Sequence, residues 1–214
     1  AVMVTVWCVC VGDKYADDDV LTLQRMVAKH LSDTQFRCLS DRNIQGVDCL
    51  IPDEVLPGWW SKILLFAHAR EGQHLYIDLD SVVVGPLDRL LSDTFSAPAN
   101  WGQSGHGGIQ SSVMAWSGDQ SHISDAFDAK QLKPDIRHPH GRYGNTDYWG
   151  DQGFLTALLG DPGAGKVRAM PRVYSYRYHC AEGPPADASV ICFHGYPKPT
   201  EVGDAWVRKA RSST

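Results

Sequence analysis

Hydrophobic residues along this chain fall into short apolar runs separated by segments with helical periodicity. Residues 4–11 are apolar at nearly every position and rich in valine, which is typical of a strand that is covered on both faces. The next segment has apolar residues at the spacing of one helix face: Val20, Leu23, Val27 and Leu31. Three aspartates at 17–19 precede it, and acidic residues in a first turn favour a helix start.

The same alternation continues to the end of the chain. Further strands are predicted at 35–39, 47–51, 74–77, 82–84 and 109–116, and near Val167 and Val190. A helix is predicted to open at 59–62, with Ile63, Leu64 and Ala67 directed inward, and another to cover 151–159. This order predicts an α/β fold, with a mixed and mainly parallel sheet flanked by helices, in one domain spanning 1–214. Ligand-binding groups are then expected beyond the carboxyl ends of the strands.

Composition narrows the class of protein. With 43% hydrophobic and 21% charged residues, the chain suits a globular domain and not a disordered one. Its net charge of -5 argues against non-specific binding to nucleic acid. The six cysteines include no Cys-x-x-Cys pair, so we expect free thiols in a reducing cytoplasm. The opening apolar run lacks a basic flank and is shorter than the roughly 18 residues of a membrane span, so no stable membrane insertion is expected.

Aspartates dominate the acidic residues, with 21 Asp against 4 Glu, so a bare Asp-x-Asp match carries little weight. Asp17 and Asp19 are interpreted as a helix cap. Asp78 and Asp80 differ, because both leave a predicted buried strand and side chains two apart point the same way. Two desolvated carboxylates side by side need a compensating cation. We therefore expect Mn²⁺ or Mg²⁺ at this position.

Two chemistries use a strand end of this kind. A haloacid-dehalogenase-type phosphatase uses the first Asp as a nucleophile, but that family opens its domain with this strand. The other chemistry is sugar transfer from a nucleotide sugar, and six short segments match it in order. They are Gly12-Asp13-Lys14-Tyr15-Ala16, Ser61-Lys62, Tyr76-Ile77-Asp78-Leu79-Asp80, Gln110-Ser111-Ser112-Val113-Met114, Gly150-Asp151-Gln152-Gly153 and His194-Gly195-Tyr196-Pro197-Lys198-Pro199. In these segments the chain resembles the glycogenin-like, family 8 retaining glycosyltransferases of the GT-A (Rossmann-like) fold.

The resemblance implies a role for each matched residue. Asp78, Asp80 and His194 would bind the metal, and Gln152, Asp151 and Lys62 would serve catalysis near the sugar. The remaining set would contact a UDP-sugar donor: Val11, Gly12, Asp13, Tyr15, Lys62, Asp78, Gln110, Gly195 and Lys198. Three positions differ from the family pattern, with Gly12 and Gln110 in place of Asn and Ser112 in place of Gly. The spacing from His194 to Lys198 is also two residues shorter.

Several alternatives stay open at this point. Besides the phosphatase, they are a nucleotidyltransferase on a related fold and a non-catalytic module that binds sugar nucleotides. Asp13 and Lys62 are also candidates for a purely structural ion pair. The acceptor is predicted to enter over loops at 100–108 and 134–150. Its identity stays open among a glycan, a protein, a lipid head group and a modified DNA base.

Overall fold

The computed structural model describes residues 3–101, 108–134, 143–145, 148 and 150–212. The two predicted acceptor loops, 100–108 and 134–150, fall largely outside these ranges. Strands within them are β1 Val4–Cys10, β2 Thr34–Ser40, β3 Asp48–Leu50, β4 Gln73–Ile77, β5 Ser81–Val83, β6 Ser96–Ala97, β7 Val113–Ser117, β8 Leu132–Pro134, β9 Tyr143–Asn145, β10 Arg168–Ala169, β11 Val173–Ser175 and β12 Val190–Cys192. Helices are α1 Asp17–His30, α2 Leu65–His68, α3 Ser121–Asp125, α4 Asp151–Leu159, α5 Tyr176–His179 and α6 Ala205–Arg211.

The main sheet has seven strands in the order β10-β6-β7-β4-β1-β2-β3. β1 lies in its centre, parallel to both β2 and β4, while β7 runs antiparallel to β4. A second sheet of three strands has the order β11-β12-β5, with β12 antiparallel to β5. The predicted mixed, mainly parallel sheet flanked by helices is thus confirmed. The strands β6, β8, β9 and β11 and the helices α3 and α5 were not predicted, and β9 lies within the segment 134–150 that was predicted to be a loop. These strands have only two or three residues, too few for a measurable periodicity.

Alternate residues of β1 supply two hydrophobic cores on opposite faces of the sheet. Val6 and Cys8 pack in the core that includes α1, while Trp7 packs in the core that includes Trp60 and Phe66. This is the two-residue alternation of a strand with both faces covered. The continuous apolar run at the start of the chain is explained by this double burial.

Helix α1 begins as the aspartates predict. Its N-cap is Ala16, and the side chain of Asp19 accepts a hydrogen bond from the Ala16 N–H at 2.9 Å. All three aspartates lie in the first turn, where the N-terminal end of the helix dipole favours negative charge. The cap assigned to this acidic triplet is confirmed.

The segment after Pro57 differs from its prediction. It forms a 3₁₀-helix over Gly58–Leu64 before α2, and a 3₁₀-helix has about three residues per turn instead of 3.6. The tighter winding changes which side chains face the core. Leu65 and Phe66 are buried and Ala67 is exposed, so the inward assignment of Ala67 was wrong.

No helix in the described ranges is both long enough and apolar enough to cross a membrane. The six cysteines are free thiols, and five of them are buried. Burial raises the pKa of Cys10 and of Cys180 to about 11, which keeps these thiols protonated at neutral pH.

Candidate functional site

Strand pairing and backbone hydrogen bonds bring three chain segments together at one edge of the main sheet. Ile77, the last residue of β4, pairs with Val113, the first residue of β7, and the Asp78 N–H donates to the Ser112 carbonyl at 2.8 Å. On the other side, the Phe193 N–H donates to the Asp80 carbonyl at 3.1 Å. The residues before β7 and after β12 are therefore held beside Asp78 and Asp80, as expected at the carboxyl end of a strand.

Lys62 is the buried cation of this edge, with 4% of its surface exposed. Its Nζ lies 3.1 Å from Asp78 Oδ1 and 3.3 Å from Asp151 Oδ2. It also donates to the carbonyl and hydroxyl oxygens of Ser111, at 3.3 Å each. Burial alone would lower the pKa of Lys62, but Asp151 and Asp78 more than offset that effect and raise it. Lys62 is therefore a permanent ammonium.

Two hydroxyl groups complete this buried network. Tyr76 donates to Asp78 Oδ1, and Ser111 donates to Asp151 Oδ2. The ion pair considered between Asp13 and Lys62 does not form, since Asp13 is exposed and Lys62 pairs with the two other carboxylates. Sequence reasoning gave Tyr76 and Ser111 no chemical role, although both stand inside the matched segments.

Asp80 is compensated by a different cation. Its Oδ2 lies 2.6 Å from Lys198 Nζ and accepts a hydrogen bond from the Tyr15 hydroxyl at 3.1 Å. Burial and the Asp80 charge raise the pKa of Tyr15, so it remains a neutral phenol. The shorter spacing after His194 thus still lets Lys198 reach the Asp-x-Asp segment.

His194 lies in an aromatic setting next to this edge. Its Nε2 is 2.6 Å from the Ser175 hydroxyl, and its ring stacks on Trp101 and Tyr178 with centroids 5.7 and 5.8 Å away. Burial and the nearby Arg177 lower the pKa of His194, which favours the neutral imidazole. Within the described ranges, no three His, Cys, Asp or Glu side chains are grouped as metal ligands would be.

The segment after β1 supplies a polar turn. Gly12 adopts φ +76°, a left-handed conformation that favours glycine, and its N–H donates to Asp41 Oδ2 at 2.8 Å. Arg42 Nη1 donates to the Gly12 carbonyl and to Asp41 Oδ1, at 3.0 Å each. Asp41 and Arg42 were missed from the sequence. Their position directly after β2, the parallel neighbour of β1, was the available signal.

Comparison with solved structures shows which known fold this chain shares. A scan against protein-family models and a search of curated proteins gave no match. Among solved structures, the glycosyltransferase GlyE of Streptococcus pneumoniae TIGR4 aligns over 92% of this chain with a TM-score of 0.61 and 16% identity. The galactosyltransferase LgtC, solved with donor and acceptor sugar analogues, aligns over 97% with a TM-score of 0.58 and 14% identity. Both neighbours are GT-A glycosyltransferases.

The chain has the GT-A fold. It spans 95% of LgtC but only 56% of GlyE, and 47% of the bifunctional glycosyltransferase WbbM, which aligns with a TM-score of 0.54 and 11% identity. The resemblance inferred from six short segments is therefore confirmed at the level of the fold.

Within this GT-A fold, the predicted residues fall into three groups. Lys62, Asp78 and Asp151 share one buried network. Tyr15, Asp80 and Lys198 share a second network, which is partly exposed. Gly12 and Asp13 are exposed and Val11 is half-buried after β1, while Gly195 is exposed between His194 and Lys198.

The third group joins the start of α4 to the residues before β7. Gln152 Nε2 donates to Gln110 Oε1 at 2.8 Å. Asp151 precedes Gln152, and its contacts with Lys62 and Ser111 connect this pair to the first network. The GT-A sheet edge thus brings eight of the thirteen predicted residues into three contacting groups, while their roles towards ligands stay predictions.

Proposed function

We propose that this chain is a glycosyltransferase that moves a sugar from a nucleoside-diphosphate donor, a UDP-sugar, to an acceptor hydroxyl. The observation that carries the proposal is the joining of Asp78, Asp151 and Lys62 at the carboxyl edge of a GT-A sheet, next to Asp80 and Lys198. Charged groups so densely arranged, and partly buried, at the strand ends where this class of sheet binds ligands are typical of a functional site.

Cationic groups at this edge are suited to a diphosphate. Lys198 is partly exposed, with 21% of its side-chain surface accessible, so its ammonium can reach an incoming phosphate oxygen. Lys14 lies over the Tyr15 ring at 4.9 Å and adds a second positive charge nearby. Positive charge held against the leaving diphosphate stabilises the transition state more than the ground state, because negative charge develops there.

We infer retention of configuration at the anomeric carbon. An inverting transferase needs a carboxylate free to take the acceptor proton. Among the buried or half-buried carboxylates of this edge, Asp78 and Asp151 share the ammonium of Lys62 and Asp80 pairs with Lys198, so none of these three is free for that role. In the proposed step, the bond between the anomeric carbon and the diphosphate oxygen breaks and the diphosphate keeps the electron pair. The acceptor oxygen bonds to the anomeric carbon on the same face, and its proton passes to the departing diphosphate.

The predicted metal ligands do not fit an ion in the described arrangement. Two carboxylates and a neutral imidazole are suitable donors for Mn²⁺. However, one donor atom of each of these residues already has a protein partner. Asp80 Oδ2 contacts Lys198 Nζ and the Tyr15 hydroxyl. Asp78 Oδ1 pairs with Lys62, and His194 Nε2 is hydrogen-bonded to the Ser175 hydroxyl. No step is therefore assigned to a metal. Binding of Mn²⁺ or Mg²⁺ by these residues stays a prediction that requires Lys198 to leave Asp80.

Release of UDP from a panel of UDP-sugars tests the proposal. Purified protein should bind one donor of the panel. A thermal-shift screen detects this binding, because a ligand at 100 times its dissociation constant stabilises the fold by about 2.7 kcal/mol. It should then release UDP slowly in water and faster with the correct acceptor. Asp80→Asn should lower this release at least about ten-fold, because the site loses the charge that positions Lys198.

Asp161→Asn, at an exposed turn, is the matched control and should keep wild-type turnover. Binding of a donor without any turnover would instead identify a non-catalytic module. Cleavage of p-nitrophenyl phosphate through Asp78 would support the phosphatase alternative. Either result would overturn the proposed transfer.

A further inference from the structure

The side-chain amide of Gln152 is held in one orientation by a chain of hydrogen bonds. The Ser112 backbone N–H donates to Gln110 Oε1 at 3.0 Å, and the Ser112 hydroxyl donates to the same oxygen at 2.9 Å. A backbone N–H can only donate, so the oxygen of the Gln110 amide must face it. Since Gln152 approaches this same oxygen at 2.8 Å, it must do so with its NH₂ group.

The backbone of Gln152 is fixed to the same segment by a second contact. The Thr156 hydroxyl accepts a hydrogen bond from the Ile109 N–H at 2.9 Å and donates to the Gln152 carbonyl at 2.7 Å. A Cβ placed on Gly108 would lie 2.6 Å from the Thr156 hydroxyl, so this approach is close. Both ends of Gln152 are therefore tied to the residues that lead into β7.

Burial differs between the two glutamines in a way that separates their roles. Gln110 is 3% exposed and its oxygen already has three donors. Gln152 is only half-buried, and among the described residues its Oε1 accepts no hydrogen bond. An amide whose NH₂ is held by Gln110 presents its oxygen on the opposite side, where a ligand hydroxyl can donate to it.

We propose that Gln110 is a positioning residue that makes Gln152 present its amide oxygen, and not its NH₂ group, to the donor sugar. This inference rests on the proposed transferase function, and it replaces the direct donor contact that the sequence predicted for Gln110. The amide oxygen of Gln152 would interact with one of two groups of the donor. One is a sugar hydroxyl, which donates a hydrogen bond to that oxygen, and the other is the anomeric carbon, which becomes electron-poor as the diphosphate leaves. A glutamine in the place of the asparagine of the resembled family has one more methylene group with which to reach Gln152.

A double-mutant cycle on Gln110 and Gln152 tests the inference. Gln110→Met keeps the length of the side chain but removes the acceptor oxygen, so the amide of Gln152 can rotate. The kcat for UDP release should then fall roughly ten-fold, while the KM for the donor changes by less than about two-fold. In a Gln152→Met background the same change should have no further effect on kcat, because Gln110 acts only through Gln152. Gln110→Glu keeps an acceptor oxygen and should restore most of kcat.

A readout that needs no turnover separates this inference from the proposed function. The side-chain NH₂ signal of Gln152 can be identified in ¹⁵N NMR spectra by its loss in Gln152→Met. In Gln110→Met this signal should change its chemical shift, and its protons should exchange faster with water. Gln45→Met, at an exposed position, is the control and should leave the signal unchanged. If the wild type turns over no donor while this NH₂ signal behaves as stated, the proposed function fails and the positioning stands.

Two outcomes would overturn the positioning role. The first is independent losses in the cycle together with a raised donor KM, which would mean that Gln110 contacts the donor itself. The second is an unchanged NH₂ signal in Gln110→Met. Gln110→Ala provides the same comparison if the methionine variant does not fold.

Discussion

Replacing Lys62 by methionine removes the ammonium group between Asp78 and Asp151 while keeping most of the side-chain volume. Each attraction is about 5 kcal/mol at an effective dielectric constant of about 20, given separations of 3.1 and 3.3 Å. The burial cost of the ammonium offsets much of this sum. Removal of one partner from a buried ionic group nevertheless costs about 3–5 kcal/mol, because Asp151 stays buried, and Asp78 stays three-quarters buried, without a cation.

That loss corresponds to a fall in Tm of about 6–20 °C for a chain of this length. Urea denaturation at pH 8 gives the free energy of unfolding directly, and Lys166→Met, an exposed lysine, is the matched control with an expected change within about 0.5 kcal/mol.

A second substitution checks whether the missing charge is the cause. Lys62→Met with Asp151→Asn should recover about half of the lost stability, since Asp78 is then the only carboxylate of the pair that lacks its cation. A loss below about 1 kcal/mol for the single variant, or no recovery in the double variant, would refute the reasoning.

Two further predictions concern His74 and Lys198. Burial lowers the pKa of His74 to about 4, and its Nδ1 accepts a hydrogen bond from Trp7 Nε1 at 3.2 Å. A histidine in the unfolded chain has a pKa near 6.5. The free energy of unfolding should therefore be at its full value above that pH and fall by up to about 3 kcal/mol as the pH drops to 4. His74→Gln should remove this pH dependence in urea titrations. Lys198→Met should strengthen Mn²⁺ binding several-fold in EPR titrations of free Mn²⁺, because Asp80 loses its competing cation, whereas Lys166→Met should not change it. Equal Mn²⁺ affinities, or a His74→Gln profile parallel to the wild type, would contradict these expectations.

Much of the fold could be predicted because its signals are local. The apolar run of β1 and the helical spacing after Asp17 both reflect burial that repeats along the chain. Helix α4 was predicted with its correct ends, since Gly150 and Gly160 border the apolar segment. The 3₁₀-helix over Gly58–Leu64 was not, because one 3₁₀ turn and one α turn contain nearly the same residues.

The candidate site was predictable in its members and not in its contacts. Asp78, Asp80 and Lys198 were recognised from short segments, yet which cation pairs with which carboxylate depends on distances between residues 16 to 118 positions apart in the chain. The roles of the Tyr76 and Ser111 hydroxyl groups emerged only from the structure, in which they donate to Asp78 and Asp151.

The sequence by itself determined the α/β class, the positions of β1, α1, β4 and α4, and the strand end at which the charged residues gather, because each follows from burial and chemistry within a short window. Tertiary structure decided how those charges are compensated. It placed Lys62 between two carboxylates, brought Lys198 to Asp80 and turned the Gln110 oxygen towards Gln152. The physical reason is that ionic and hydrogen-bond energies depend on separations of about 3 Å across the sheet edge, which no spacing along the chain specifies.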